Sequence, residues 1–236
     1  VAGETVWVVT DGGELVAVDV DTPQEPKISA RLGGFDHPTA VAVQFRYAFV
    51  TDRRGLSVVD VTFPERPRKV AAVELGSAHG LHVARTYAYV AAGEGGLAIV
   101  DVTRPEHPAL YRRTTLGGKL EDTRDVTVGS TNASLYAYLA DAETGLHVVQ
   151  LTSPETVPGY LGFSPPPEPV WIAGRHTHGP ALALSKGLER DRAVDESGNQ
   201  IAVMNRIGAR PFNLEEMRRL YLRNGEVYTV KSEEEP

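Results

Sequence analysis

A six-residue block recurs along the chain and limits its fold more than any other feature. The block reads Leu-x-x-Val-Asp-Val, with its aspartate at Asp19, Asp60 and Asp101, spaced 41 residues apart, and a looser copy carries Gln150, 49 residues further on. Proline pairs follow the copies, starting at Pro23, Pro64, Pro105 and Pro154. A single small repeat cannot bury both of its faces, so such units stack on their neighbours.

Each repeat predicts about four short strands, separated by Gly, Asp and Pro turns. The first strands are predicted at Ala40–Val43, Leu81–Val83, Val126–Val128 and Val170–Ile172, and the second strands at Val6–Thr10, Tyr47–Thr51, Tyr87–Ala91 and Tyr136–Ala140. The third strand is the recurring block, and Lys69–Val73 exemplifies a weaker fourth strand. The fold predicted is all-β: a β-propeller of four-stranded antiparallel blades, about five in this chain, within a ring of five to seven.

The C-terminal part continues this pattern in degraded form. Ala181–Leu184 and Gln200–Met204 are predicted as the second and third strands of a fifth blade. Arg219–Arg223 and Glu226–Val230 flank Asn224-Gly225, a strong hairpin signal, although residues 214–219 also fit a helical turn. Residues 231–236 form an acidic tail. Because one strand is in surplus, residues 1–236 are interpreted as a single propeller domain or a segment of a larger one.

The repeat phrase resembles the LVIVD-repeat family. The phrase is Leu-x-Val-Val-Asp-Val-Thr-x-Pro-Glu-x-Pro, preceded by Tyr-Ala-Tyr-Val-Ala and Gly-Leu; Tyr87–Pro108 carries the nearest copy, and the likeness spans roughly residues 6–162. The resemblance implies a bacterial or archaeal β-propeller that is secreted or held at the cell surface. It also implies flanking modules, among them multihaem cytochrome regions, and it brings no shared catalytic residues.

Composition excludes several classes of function. The chain has no cysteine, so it offers no disulfide, thiolate metal site, thiol nucleophile or c-type haem attachment. Its net charge is -7 and it has no basic run, which argues against nucleic-acid binding. No apolar run reaches the length of a membrane span, so no membrane insertion is expected. We expect no bound cofactor.

Candidate binding residues lie just before each first strand, where a propeller opens its central channel. Aligned on the apolar pairs that follow, these positions are Thr39, His79, Arg124, Glu168 and Arg218. His37 lies two residues before Thr39, and the six residues together are the channel-mouth set. Chemically varied side chains on the loops of a repetitive scaffold are typical of a binding site. The recurring aspartates are instead interpreted as Asx-turn residues. The His176-Thr-His178 pair lacks an obvious third metal ligand.

The function predicted is a non-enzymatic interaction scaffold of an extracytoplasmic protein, which docks a protein partner or flanking domains. Two alternatives remain open at this stage. One is a module of an electron-transfer assembly beside a multihaem cytochrome, whose haem another chain or domain would carry. The other is an enzyme that holds a small molecule or metal among His79, Arg124, Glu168 and Arg218.

Overall fold

A computed structural model describes residues 4–131, 134–153 and 164–185, together with five two-residue strands further along the chain. The chain divides into two compact units, Val1–Ser185 and Lys186–Pro236. Every regular element in the described residues is a β-strand. The described part of the chain accordingly contains no helix long and apolar enough to cross a membrane.

The first unit contains four antiparallel sheets, three of which are complete four-stranded blades. Blade 1 comprises β1 (Thr5–Thr10), β2 (Glu14–Asp19) and β3 (Lys27–Leu32); blade 2 comprises β4 (Ala40–Gln44), β5 (Tyr47–Asp52), β6 (Gly55–Asp60) and β7 (Arg68–Glu74). Blade 3 comprises β8 (Leu81–Ala84), β9 (Tyr87–Ala91), β10 (Leu97–Asp101) and β11 (Ala109–Thr114); blade 4 comprises β12 (Thr123–Thr131), β13 (Ser134–Asp141), β14 (Gly145–Thr152) and β15 (Val170–Arg175). The predicted four-stranded blades are therefore confirmed.

The first strands of the complete blades adjoin one another. Within each blade the strands pair in chain order, so β4, β8 and β12 are edge strands. Strand β8 lies against β4 on one side and β12 on the other. The three first strands thus form the inner row, and the exposed fourth strands lie at the opposite edges of their sheets.

Large and small side chains alternate along the second strands and pack between sheets. Because successive residues of a strand point to opposite faces, Tyr47 and Phe49 share one face of blade 2. They pack in the same buried cluster as Ala88 and Val90 of blade 3. The Tyr-Ala-Tyr-Val pattern therefore gives each blade one bulky face and one thin face, which fit together.

The next interface repeats this arrangement. Tyr87 and Tyr89 of blade 3 pack with Ala137 and Val126 of blade 4. Each interface is a buried apolar layer of this kind, so the stability of a blade depends on its neighbours.

Several local features confirm the sequence analysis. Asp19, Asp60 and Asp101 each accept a hydrogen bond from the backbone N–H two residues later, at 2.9, 3.0 and 2.8 Å, which is the predicted Asx turn. Gly55 and Gly145 have φ values of 139° and 94°, and a Cβ at either would overlap a carbonyl oxygen of the opposing fourth strand. Glycine is required at these turns for both reasons.

Two strand assignments from the sequence were wrong. Val170–Ile172 was predicted as a first strand, but β15 pairs with β14 and is the outer, fourth strand of blade 4. Ala181–Leu184 was predicted as a second strand, but it forms no strand, and the Leu184 N–H donates to Asp125 Oδ2 at 2.7 Å, beside the inner row. Both errors arise because strand rank depends on pairing with distant residues.

The second unit contains only short described strands. Strands β16 (Ala202–Val203), β17 (Arg206–Ile207) and β18 (Arg210–Pro211) form one small sheet. Strands β19 (Leu222–Arg223) and β20 (Glu226–Val227) pair across Asn224-Gly225, which confirms the predicted hairpin. Residues 214–219 and the acidic tail at 231–236 lie outside the described residues.

A buried carboxylate at the end of the second strand holds two turns in blade 2. Asp52 Oδ1 accepts the N–H groups of Arg54 and Gly55, and Asp52 Oδ2 accepts the N–H of Asp36 in the loop before the first strand. Burial of Asp52 opposes its ionisation, but these hydrogen bonds and the Arg54 guanidinium outweigh burial and lower its pKa. In blade 4, Asp141 has the same role and also a lowered pKa. We name Asp52 and Asp141 the framework carboxylates.

Asp52→Ala should lower the free energy of unfolding by about 2 kcal/mol at pH 7, because three N–H groups lose a charged acceptor. The folded pKa of Asp52 lies below the unfolded value of about 3.9, so its contribution is complete above that pH and is lost as the pH falls through the folded value. The variant should therefore lose less stability on acidification than the parent. Urea unfolding at pH 7 and pH 3 measures this, with exposed Asp21→Ala as the control. Equal acid sensitivity of Asp52→Ala and the parent would contradict it.

Candidate functional site

Three of the predicted channel-mouth residues occupy equivalent positions in consecutive blades. Thr39 and His79 each donate their backbone N–H to the second strand of their own blade, at 2.9 and 2.8 Å. The Thr39 hydroxyl lies 2.9 Å from the carbonyl of Ala78, and the Gly80 N–H donates to the carbonyl of Arg124 at 3.0 Å. These hydrogen bonds join the starts of the three inner strands, so Thr39, His79 and Arg124 lie at one end of the inner row.

A wide cleft of about 750 Å³ opens beside His79 and Arg124, between blades 3 and 4. Its lining carries both signs of charge. The charged residues are Glu94, Arg113, Glu121, Asp122, Arg124 and Glu143, and the backbone from Leu75 to Ser77 and from Ala92 to Gly95 completes the wall. A second opening of about 410 Å³ is lined by Thr39, His79 and Arg124 together with Leu182 and Ala183. The cleft is a chemically mixed surface at the end of the inner strands.

His79 and Arg124 form the centre of a polar cluster. Arg124 Nε donates to Asp122 Oδ2 at 2.8 Å, and Arg124 Nη1 lies 3.5 Å from His79 Nε2. The hydroxyl of Ser77 lies 3.4 Å from the same histidine nitrogen. Because arginine can only donate, its approach favours an unprotonated Nε2 and a neutral imidazole.

Electrostatics also favour the neutral form of His79. Partial burial lowers the pKa of His79, and the positive charge of Arg124 lowers it further, while Asp122 opposes the shift. Arg124 and Asp122 are 38% and 19% exposed, so their ion pair is partly screened by solvent. At neutral pH, His79 is therefore an uncharged hydrogen-bonding group.

The cluster does not have the geometry of a nucleophilic catalytic site. Ser77 and His79 are close, but Asp122 is held by Arg124, and no described carboxylate bonds to His79 Nδ1. A serine–histidine pair needs a third group to orient the ring. The described residues also contain no group of three or more acidic or histidine side chains suited to a metal ion.

The remaining channel-mouth candidates lie elsewhere. His37 is paired with Asp36 at 2.9 Å and lines neither opening. Glu168 was wrongly aligned, because β15 is a fourth strand; its carboxylate contacts Arg112 at 3.0 Å on the outer strand of blade 3. Arg218 lies outside the described residues. The binding role of the channel-mouth set stays a prediction.

Another histidine cluster lies at the outer edge of blade 4. Trp171 Nε1 donates to His147 Nδ1 at 3.2 Å, so the imidazole proton lies on Nε2, which is 2.8 Å from the Thr144 hydroxyl. His147 is a buried, packed residue. His176 lines the small cavity beside it, and the described residues provide no third ligand that would turn the pair of His176 and His178 into a metal site.

One difference between the repeats shapes the cleft and was not predicted from the sequence. The position of Asp52 and Asp141 is occupied by Ala92 in blade 3, whose following turn is one residue longer than that of blade 2 and as long as that of blade 4. Ala92 and this turn form part of the cleft wall. A comparison of the repeats at the residue after the second strand would have revealed the difference.

Comparisons with known proteins support the repeat assignment. The LVIVD repeat model matches residues 38–70 and 75–115, so these stretches are LVIVD repeats, which form β-propeller blades. A search of curated proteins gave no match.

Solved structures with similarity to the chain share little sequence with it. They include a chain of the S. cerevisiae Dbp5 complex with Nup159, Gle1, IP6 and ADP, and the N-terminal domain of Nup159, each 12% identical with a TM-score of 0.41 and covering 64% of this chain. The chain spans 43% of the length of each of those two chains. A functionally unknown protein from Desulfotomaculum acetoxidans DSM 771 is 10% identical, with a TM-score of 0.43 over 88% of this chain and 83% of that one.

The titration of His79 checks the electrostatics of the cluster. In the parent protein, NMR should give a His79 pKa below the ordinary value of about 6.5. Arg124→Ala should raise that pKa, because it removes a positive charge and frees the Asp122 carboxylate. Asp122→Asn should lower it. The ring NMR signals of exposed His107, in the turn after β10, serve as the internal reference for a correctly folded protein. If the pKa of His79 is the same in both variants as in the parent protein, the contacts described above are contradicted.

Proposed function

We propose that the chain is a protein-interaction module whose docking surface is the cleft between blades 3 and 4. The observation that carries the proposal is the clustering of exposed and half-exposed charged groups at one end of the inner strands, on an otherwise regular framework. The LVIVD-repeat propeller fold supports an interaction-type module in general. The cleft gives that module a specific surface.

The form of the cleft favours a protein partner over a small molecule. Its charged side chains come from two blades and are spread along a wide opening, rather than converging on one point. Small-molecule sites are mostly apolar and enclose most of the ligand. Arginine is enriched among the residues that dominate binding energy at protein interfaces, and Arg113 and Arg124 both line this cleft.

We also propose an extracytoplasmic location, in a secreted, periplasmic or cell-surface protein. This part rests on the resemblance to LVIVD-repeat proteins alone. Protease treatment of intact cells and of lysed cells tests this location. If the protein is cleaved only after every membrane has been lysed, it lies inside the innermost membrane, which would contradict the proposal. A multihaem cytochrome neighbour remains a prediction of the same resemblance, and a Soret band in natively purified complexes would support it.

Arg124→Glu should weaken partner capture about tenfold or more, because it replaces a central cation of the cleft with a repelling anion. The matched control is Arg112→Glu, since Arg112 is 42% exposed and paired with a carboxylate on the outer strand of blade 3. Pull-downs from the native source with the two variants and the parent, quantified by mass spectrometry, measure the effect. Thermal melting of each variant confirms folding.

A partner that is retained by Arg112→Glu and lost by Arg124→Glu supports the cleft as the docking surface. Equal loss from both variants, or retention by both, would overturn it.

A further inference from the structure

Blade 3 lacks a carboxylate that both of its complete neighbours possess. In blade 2, the N–H of Asp36 donates to Asp52 Oδ2 at 3.1 Å. In blade 4, the N–H groups of Glu121 and Asp122 donate to Asp141 Oδ2, both at 3.0 Å. The equivalent position in blade 3 is Ala92, whose methyl group accepts no hydrogen bond.

Blade 3 keeps the loop positions that supply N–H donors to the carboxylate in the other blades. The loop before the first strand aligns through its buried residue, which is Phe35, Leu75 or Leu120 in blades 2, 3 and 4. Gly76 and Ser77 therefore correspond to the donating residues of the other blades. Neither of their N–H groups has an acceptor among the described residues.

A third donor comes from the turn after the second strand. In blades 2 and 4, the N–H two residues after the framework carboxylate donates to it, from Arg54 and Glu143 at 2.8 and 3.2 Å. The equivalent in blade 3 is Glu94, whose N–H likewise has no acceptor in the described part of the chain. Gly76, Ser77 and Glu94 all line the 750 Å³ cleft, so the vacant position opens to solvent.

The charges nearest this position are of both signs. Arg113 Nη2 donates to the carbonyl of Leu75 at 2.9 Å, directly before Gly76, and Arg124 lies against His79. The acidic groups of the cleft are Glu94, Glu121, Asp122 and Glu143, of which Asp122 is neutralised by Arg124. A strongly acidic ligand would be repelled by the remaining three, whereas a single carboxylate on a neutral or basic segment would not.

We propose that blade 3 binds a carboxylate of the protein partner in the position that Asp52 and Asp141 occupy in the neighbouring blades. The carboxylate is an aspartate, a glutamate or a C-terminus on a segment that is otherwise neutral or basic. It accepts hydrogen bonds from the N–H groups of Gly76, Ser77 and Glu94. Basic residues next to it in the partner segment face the acidic side chains of the cleft. The inference rests on the proposed function, because it specifies the chemistry of the same cleft.

Two tripeptides of matched shape test the proposal by solution NMR on the full chain. The probes are acetyl-Lys-Asp-Lys-amide and acetyl-Lys-Asn-Lys-amide. Sodium acetate and sodium chloride form a second, smaller pair of probes, with and without a carboxylate. The aspartyl peptide and acetate should move the amide proton signals of Gly76, Ser77 and Glu94 downfield, because hydrogen bonding to a carboxylate deshields an amide proton. The asparaginyl peptide and chloride should cause little change.

Ala92→Asp supplies the missing carboxylate within the chain. It should move the same three amide signals without any ligand, abolish their response to acetate, and raise Tm by about 3 °C. Ala92→Asn is the matched control, since it has the same shape without the charge, and it should raise Tm less. A stabilised variant that has lost binding distinguishes an occupied site from a misfolded one.

Two results would overturn the inference. One is a response of the three amides to acetate that is no larger than their response to chloride. The other is an Ala92→Asp variant that melts below the parent and leaves those amide signals unmoved. Neither result bears on the Arg124→Glu capture experiment, so a failure of the carboxylate site and a failure of the docking surface are separable.

Discussion

The fit of bulky residues on one blade against small residues on the next is the interaction on which this structure depends. Tyr47 and Phe49 fill the space left by Ala88 and Val90, and Tyr89 repeats the arrangement one blade further on. A sheet with both faces covered in this way cannot fold in isolation. The 41-residue spacing therefore reflects a packing requirement, because each repeat must present the same two faces in the same register.

Once the faces are packed, hydrogen bonds at the strand ends position the inner row. In blades 2 and 4, a framework carboxylate ties the second-strand turn to the loop before the first strand. Blade 3 uses a different connection, since Gly93 and Thr123 of blade 4 exchange two backbone hydrogen bonds of 3.0 Å. That exchange holds the end of β9 against the next blade without a side chain, and it leaves room for the cleft beside Ala92.

Features set by local chemistry could be predicted from the sequence, and features set by distant pairing could not. The Asx turns at Asp60 and Asp101 depend on residues within a few positions, and both were predicted. The rank of β15 depends on its pairing with β14 across a long connection, and it was misassigned together with Glu168. His79 and Arg124 do precede the first strands β8 and β12, because the apolar pairs that follow them belong to those strands.

The proposed carboxylate site lies in a difference between repeats rather than in a motif. A search for catalytic or metal-binding motifs does not select alanine residues. The importance of Ala92 is evident only when it is compared with Asp52 and Asp141 at the equivalent positions of the other blades. In a repeat protein, one blade can lose a framework hydrogen bond while its neighbours keep it in register, since stability is shared across the interfaces. Blade 3 is flanked on both sides by complete blades that retain their framework carboxylates, and these carboxylates hold the loops next to blade 3 by backbone hydrogen bonds.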